Sequence, residues 1–164
     1  MLADDSLRAV ELVSRFTGAI VDVGSGGGAP GIPLAHALPE RELVLVEAER
    51  RKCEFLEQWA PPNARVVWGR AEEQETDWAG VAVAKALAQP PTAAEWCLPL
   101  VREGGAVILW VGPSADPGRV AQVAARLAAE LEEAPAGLLL IRKTGPTPEG
   151  FPRRAGVAKK RPLA

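Results

Sequence analysis

The chain has no tyrosine, one histidine (His36) and two cysteines (Cys53 and Cys97) in 164 residues. The cysteines stand 44 positions apart with no CxxC pair. A zinc cluster needs several thiolate or imidazole ligands, and a Ser/His/Asp or Cys/His site needs a base, so this inventory argues against both. No metal is expected. The two thiols are expected to be buried and inert, and His36, inside the apolar stretch LAHAL, to be a packed or surface helix residue. No run approaches the ~20 apolar residues that span a bilayer. The N-terminus carries early acids, Asp4 and Asp5, where a secretory leader has a basic and then an apolar region. A soluble, unsecreted, cytoplasmic protein without a membrane partner is expected. The five tryptophans (59, 68, 78, 96 and 110) are too scattered for a stacking stripe and read as core or edge packing.

What is present is ordinary globular material. Hydrophobic residues make up 48% and charged residues 24%, enough to bury a core that offsets the ordering entropy of one domain, residues 1–164. The net charge of −2 hides an asymmetry. Residues 142–164 hold seven basic side chains and one acid, which leaves twelve basic against twenty acidic in the rest. A short cationic end on an acidic body points to a polyanion touched at one place, or to a solvated tail. Within it, residues 144–164 are rich in proline and glycine and read as an extended loop or a tail pinned to the surface.

Apolar runs alternate with helical patterns. Strands are expected at 19–23, 43–47, 65–68, 81–86, 105–111 and 138–143, several of them continuously apolar as in a sheet covered on both faces. Helices are expected at 6–16, 32–38, 50–59, 92–101 and 117–133. Strand and helix in repetition predict a doubly wound α/β fold with a mostly parallel sheet.

Residues 20–33, IVDVGSGGGAPGIP, end a strand in glycines and open a helix. Such a turn lets backbone approach a ligand at the carboxyl edge of the sheet. The spacing Gly24-x-Gly26-x-x-Ala29 also fits a dinucleotide fingerprint, so glycines alone do not choose the ligand. Asp22 sits where a pyrophosphate would be repelled. S-adenosylmethionine, with a sulfonium, an amino group and a ribose but no phosphate, suits an acid there better. Glu47, ending the second strand, can accept from both hydroxyls of a ribose. Asp22, Gly24, Gly26 and Glu47 are therefore candidate cofactor contacts, against the alternative of helix-capping or solvated carboxylates.

DVGSGGGAPGIPLA resembles the DVGSGxGFPGIPLA signature of the bacterial small-subunit ribosomal RNA guanine-N7 methyltransferases, the glucose-inhibited division protein B family. LVLVEAERRKCEFL resembles that family's second strand and basic helix, GRAEE (69–73) its RAEE segment and VAVAKALA (81–88) its fourth strand. FPRRAGVAKKRPL (151–163) is similar to its terminal YPRRxGxPxKxPL, and Asp5-Ser6-Leu7 to a DSL near its start. The resemblance implies a Rossmann-like class I fold dependent on S-adenosylmethionine. It implies cofactor contacts at Gly24, Ala29, Ala71, Glu72 and Lys85, with Glu47 on the ribose. Arg70 and Lys85 become the candidate catalytic residues, Arg70 turned toward substrate phosphate or base. Arg153, Arg154, Lys159, Lys160 and Arg161 would meet RNA phosphate, the partner being small-subunit RNA or the 30S subunit and the protein a monomer. Three positions depart from the pattern. Ala29 stands for a bulky residue, Lys85 for an arginine and Val111 for a lysine, and family members carry a longer N-terminal helical region. Two other readings stay open: a relative with a different substrate, and a non-catalytic module that holds cofactor or RNA.

The implied chemistry needs no base. Guanine N7 has a free lone pair and no proton to lose, so in-line methyl transfer asks for alignment. N7 faces the deep major groove of A-form RNA, so the target would lie in a loop or be unstacked.

Overall fold

The structure, a computed structural model, describes residues 2–164. Seven strands form one sheet: β1 (Ile20–Val23), β2 (Leu43–Glu47), β3 (Ala64–Trp68), β4 (Ala79–Lys85), β5 (Val101–Trp110), β6 (Ala129–Glu132) and β7 (Leu138–Lys143). Their order is β3-β2-β1-β4-β5-β7-β6. The five strands from β3 to β5 are parallel neighbours, and β7 runs antiparallel to both β5 and β6. The apolar runs therefore lie in a mostly parallel sheet, as expected.

Period-two alternation divides the core. Val21, Val46, Ala82, Val107 and Ile141 join the cluster on one face, packed with α5 (Pro90–Cys97) and α6 (Pro117–Arg126). Ile20, Leu43, Val83, Ile108 and Leu140 point to the other, with α2 (Val10–Ser14) and α3 (Gly31–Ala37). Successive side chains alternate across a strand, so a continuously apolar run serves both layers. The α4 helix (Arg50–Trp59) packs beside β2 and β3. Short α1 (Leu2–Leu7) lies against α3, and α7 (Val157–Lys160) against α5.

Three expected helices change. The segment 6–16 is broken between α1 and α2. The helix expected at 92–101 starts at Pro90, where proline costs no helical hydrogen bond. It gives way to a 3-10 turn over Leu98–Leu100 before β5 begins at Val101. The helix expected at 117–133 ends at Arg126, and Ala128 turns the chain at φ +54° into β6. AELE has strong helix formers, but tertiary pairing overrides that preference. Glu130 and Glu132 project outward and meet Arg142 on β7, Glu130 at 2.5 Å. The helix formers of AELE hide this edge strand from the residue pattern.

Lys143 staples the far end. Its side chain is fully buried, and Nζ shares its three protons among Leu98 O (2.8 Å), Val101 O (2.9 Å), Thr147 Oγ1 (2.8 Å) and Asp77 Oδ1 (3.2 Å). Burial pulls this ammonium below its ordinary pKa while Asp77 pushes the other way. Both cysteines are buried and unpaired with each other, with burial raising each thiol. His36 is an exposed residue of α3.

Candidate active site

At the carboxyl edge of β1, β2 and β4 the glycine turn forms one wall of a cavity of about 590 Å³. Gly24, Gly26, Ala29, Glu47, Ala71, Glu72, Arg70 and Lys85, all expected at a site, line it together. Gly24 and Gly26 have φ of +71° and +51°, which an L side chain rarely adopts. A Cβ at Gly24 would lie 2.4 Å from Leu87 Cδ1, whereas one at Gly26 would meet nothing closer than 3.8 Å. Gly26 thus faces open space.

Asp22 is the correction. It does not line the cavity but lies wholly buried beneath the turn, where Oδ2 accepts from Gly31 N at 2.9 Å. Its Oδ1 has no partner among the described residues. Burial raises its carboxyl to about 7. Asp22 is a brace that meets the N-terminal end of α3, not a cofactor contact. Gly31 is required for that approach, since a Cβ there would sit 2.6 Å from Asp22 Oδ2 and 2.4 Å from Leu45 Cδ2.

Glu47 is almost buried and spans two elements: Oε1 accepts from Gly26 N (3.0 Å) and Oε2 from Glu49 N (2.7 Å). Four more of the turn's amides are also engaged, while those of Gly27 and Ala29 have no bond among the described residues. Gly24 N and Ser25 N donate to Val46 O, Gly28 N to Ser25 O and Gly31 N to Asp22. A phosphate-binding turn leaves such N–H groups for the anion, with a positive helix end behind them. Here the chain's own carbonyls and carboxylates take these five donors, and a pyrophosphate would meet Glu47 in the wall. The donor set fits a ligand without phosphate.

The other wall comes from distant sequence. Glu72 has a side chain only 5% exposed, accepts from Gly156 N (3.0 Å) and lies 3.7 Å from Arg70. Lys159 on α7 also lines the cavity. Trp96 lines it too, with its Nε1 buried and without a partner among the described residues. Lys85 is tied to Asp5 Oδ2 at 2.5 Å, across a sequence gap of 80 residues that leaves no local signal. Only the DSL resemblance pointed to Asp5. The adjacent Ala86 adopts φ +55°.

The cationic end is smaller than its sequence suggests. Arg153 is held by buried Glu95, Nε to Oε1 at 2.5 Å and Nη2 to Oε2 at 2.7 Å, and donates to Arg161 O as well. The three N–H groups at Nε and Nη2 are taken, so Arg153 acts as a structural clamp, and only Nη1 keeps donors for its expected phosphate contact. Lys143 is buried, and Arg142 is paired across the sheet. Arg154, Lys159, Lys160 and Arg161 remain exposed, without an ion pair among the described residues. Among the described residues no helix is long and apolar enough to cross a membrane, and no group of three His, Cys, Asp or Glu could hold a metal.

The reversed β7 between β5 and β6 already separates this sheet from the 3-2-1-4-5-6 dinucleotide order. A model of the family described as rRNA small subunit methyltransferase G (GidB) matches residues 2–130. The chain belongs to this family. Family members of similar sequence include the ribosomal RNA small subunit methyltransferase G of Symbiobacterium thermophilum, 39% identical over 170 residues, covering 88% of this chain and 69% of that one. That of Pelotomaculum thermopropionicum is 37% identical over 181 residues, covering 97% and 76%. The chain thus spans about 70 to 75% of the length of these two relatives. Among solved structures, a SAM-dependent O-methyltransferase from Thermotoga maritima superposes with a TM-score of 0.68 at 16% identity, covering 89% of this chain and 67% of that one. M. jannaschii TYW2 in complex with AdoMet gives 0.66 at 13%, covering 85% and 72%. These likenesses show the family's fold, a Rossmann-like methyltransferase sheet.

Proposed function

We propose that this chain binds S-adenosylmethionine in the glycine-turn cavity and transfers its methyl group to guanine N7 in small-subunit ribosomal RNA. Family membership supports the reaction class and the RNA. The observation that carries the cofactor is the Glu47 carboxylate in the wall together with the engagement of five of the turn's amides by Val46, Ser25, Glu47 and Asp22, which suits a phosphate-free ligand.

Gly24, Gly26 and Ala29 form the floor. Glu47 retains a lone-pair site on each oxygen beyond its two backbone bonds, enough to accept from a ribose diol. Ala71, Glu72 and Lys85 line the same cavity, where the first two would edge the adenine and Lys85 would close the end that faces the acceptor. Bound S-adenosylmethionine supplies a methyl carbon made electrophilic by its sulfonium. The N7 lone pair would take that carbon as its bond to sulfur broke, leaving the positive charge on the base, so the chain's residues would have no proton to move. The protein's work is alignment and exclusion of water. Arg70, Arg154, Lys160 and Arg161 hold backbone phosphate, and residues 144–164 belong to the same domain as a cap over the cavity.

Incubation with radiolabelled cofactor and small ribosomal subunits lacking the modification, followed by mapping of the labelled base, tests this reading. Label on one guanine N7 is expected. Cofactor binding without label would leave a binding module, and a pyridine dinucleotide in the cavity would remove the site assignment.

A further inference from the structure

A second cavity of about 460 Å³ opens beside the first, and the two share Lys85 and Ala86 as a common wall. Asp5, Trp110, Pro90 and Pro91 line it, while the glycine turn does not. We propose that this cavity receives the acceptor base and that the Asp5–Lys85 pair reads the Watson–Crick edge of guanine. This rests on the proposed methyl transfer and adds the means by which the base is chosen.

The pair presents a cationic donor and an anionic acceptor 2.5 Å apart, Lys85 on the shared wall and Asp5 beside it in the second cavity. Guanine offers the mirror pattern on adjacent atoms: O6 accepts, and N1–H and the N2 amine donate. Adenine reverses both positions, so its N6 amine would face the ammonium and its N1 lone pair the carboxylate. Uracil matches the first two positions but has no amine and no N7. The remaining capacity suffices. Lys85 has two protons beyond its bond to Asp5, and each Asp5 oxygen keeps a lone-pair site beyond those used by Lys85 and by Arg8 (3.2 Å). With O6 on Lys85, N7 is the next atom along the ring edge and lies toward the shared wall.

The pair is positioned by the fold. Trp110 Nε1 donates to Asp5 O at 3.1 Å, which ties α1 to the end of β5. Trp110, Pro90 and Pro91 supply flat apolar surface for a purine. The bond to Lys85 holds the Asp5 carboxyl below its ordinary range, so it is ionised where the reaction runs. Methylation leaves positive charge on the purine, which strengthens N1–H and the N2 amine as donors. The Asp5 contacts therefore tighten on the way to product, and binding of that kind raises kcat more than it lowers KM.

The test compares RNA bearing guanine or inosine at the mapped position, inosine differing only by the missing N2 amine. With the unaltered chain, inosine is expected to lower kcat/KM about tenfold, the scale of one lost hydrogen bond to a charged group. Asp5→Asn is expected to lower kcat on guanine RNA about thirtyfold, with the cofactor Kd by calorimetry within about twofold. In that variant the inosine penalty should shrink to under about threefold. Equal rates of transfer by the unaltered chain to both RNAs overturn the inference, whether or not the variant folds. So does Asp5→Asn with unchanged kcat. Either result leaves the proposed methyl transfer standing, whereas no transfer by the unaltered chain removes that function and this pocket's role together.

Discussion

The two walls of the glycine-turn cavity are built in opposite ways. The glycine wall is local: Asp22, Gly31 and the turn between them lie within ten residues, and Glu47 comes from the neighbouring strand. The tail wall is assembled from afar, with Arg153 on Glu95 across 58 residues and Gly156 on Glu72 across 84. A local wall tolerates little substitution, because backbone and side chain fill one another's space. A wall made of long-range ion pairs divides its charges between clamps, which hold, and free cations, which are left to bind.

The largest effect expected is at Gly31, where a Cβ has no room. Gly31→Val should destabilise by about 3 kcal/mol in urea unfolding and disable cofactor binding with it. Gly26→Trp sharpens the contrast, since it points into open space: binding should vanish by calorimetry while stability falls by only about 1 kcal/mol, the strain of a left-handed residue. Binding retained by Gly26→Trp would move the site elsewhere.

On the tail wall, Arg153→Ala strands a Glu95 that is 3% exposed, and a loss of about 2 to 3 kcal/mol is expected. Cofactor affinity should weaken too, because the same segment holds Glu72 through Gly156. Removal of residues 151–164 should therefore impair both cofactor and RNA binding, although the sequence suggests RNA alone.

Asp22 supplies a pH test of the glycine wall. Burial raises its carboxyl from the ordinary 3.8 to about 7, so the folded chain binds this proton more tightly than the unfolded chain does. Its contribution to stability is full below the ordinary value and is lost as pH rises through the folded one. Stability of the unaltered chain relative to Asp22→Asn should thus fall by up to about 2 kcal/mol between pH 5 and 7. Parallel pH profiles would show that Asp22 is ionised throughout. The smallest effect belongs to Arg154→Ala: stability should move by less than about 0.5 kcal/mol, while the slope of log binding constant against log salt for RNA should drop by about 0.7. The same slope change in Arg153→Ala would break the division into clamps and free cations.

Legibility follows the same line. The strands at 43–47 and 138–143, the turn and most cavity residues could be read because their requirements are local: apolar runs for buried strands, glycine where φ is positive, an acid at a strand end. Strand β6 could not, since AELE becomes a strand only when Arg142 lies opposite. Trp59 and Trp68, expected in core or edge packing, are each 62% exposed, with Arg50 stacked 5.5 Å over Trp68. Asp22 stands at the end of β1 where the pattern puts an acid but turns beneath the cavity, for sequence marks the strand end and not which way the carboxylate turns.

Residue pattern by itself determined the parallel sheet, the glycine turn and the family, because periodicity and turn geometry act within a few residues. Tertiary structure alone decided which cations of the tail are free, that Asp5 meets Lys85, and that a second cavity adjoins the first. Those outcomes depend on pairs brought together across 58 to 84 positions, where burial and charge act through space and leave no spacing in the chain to read.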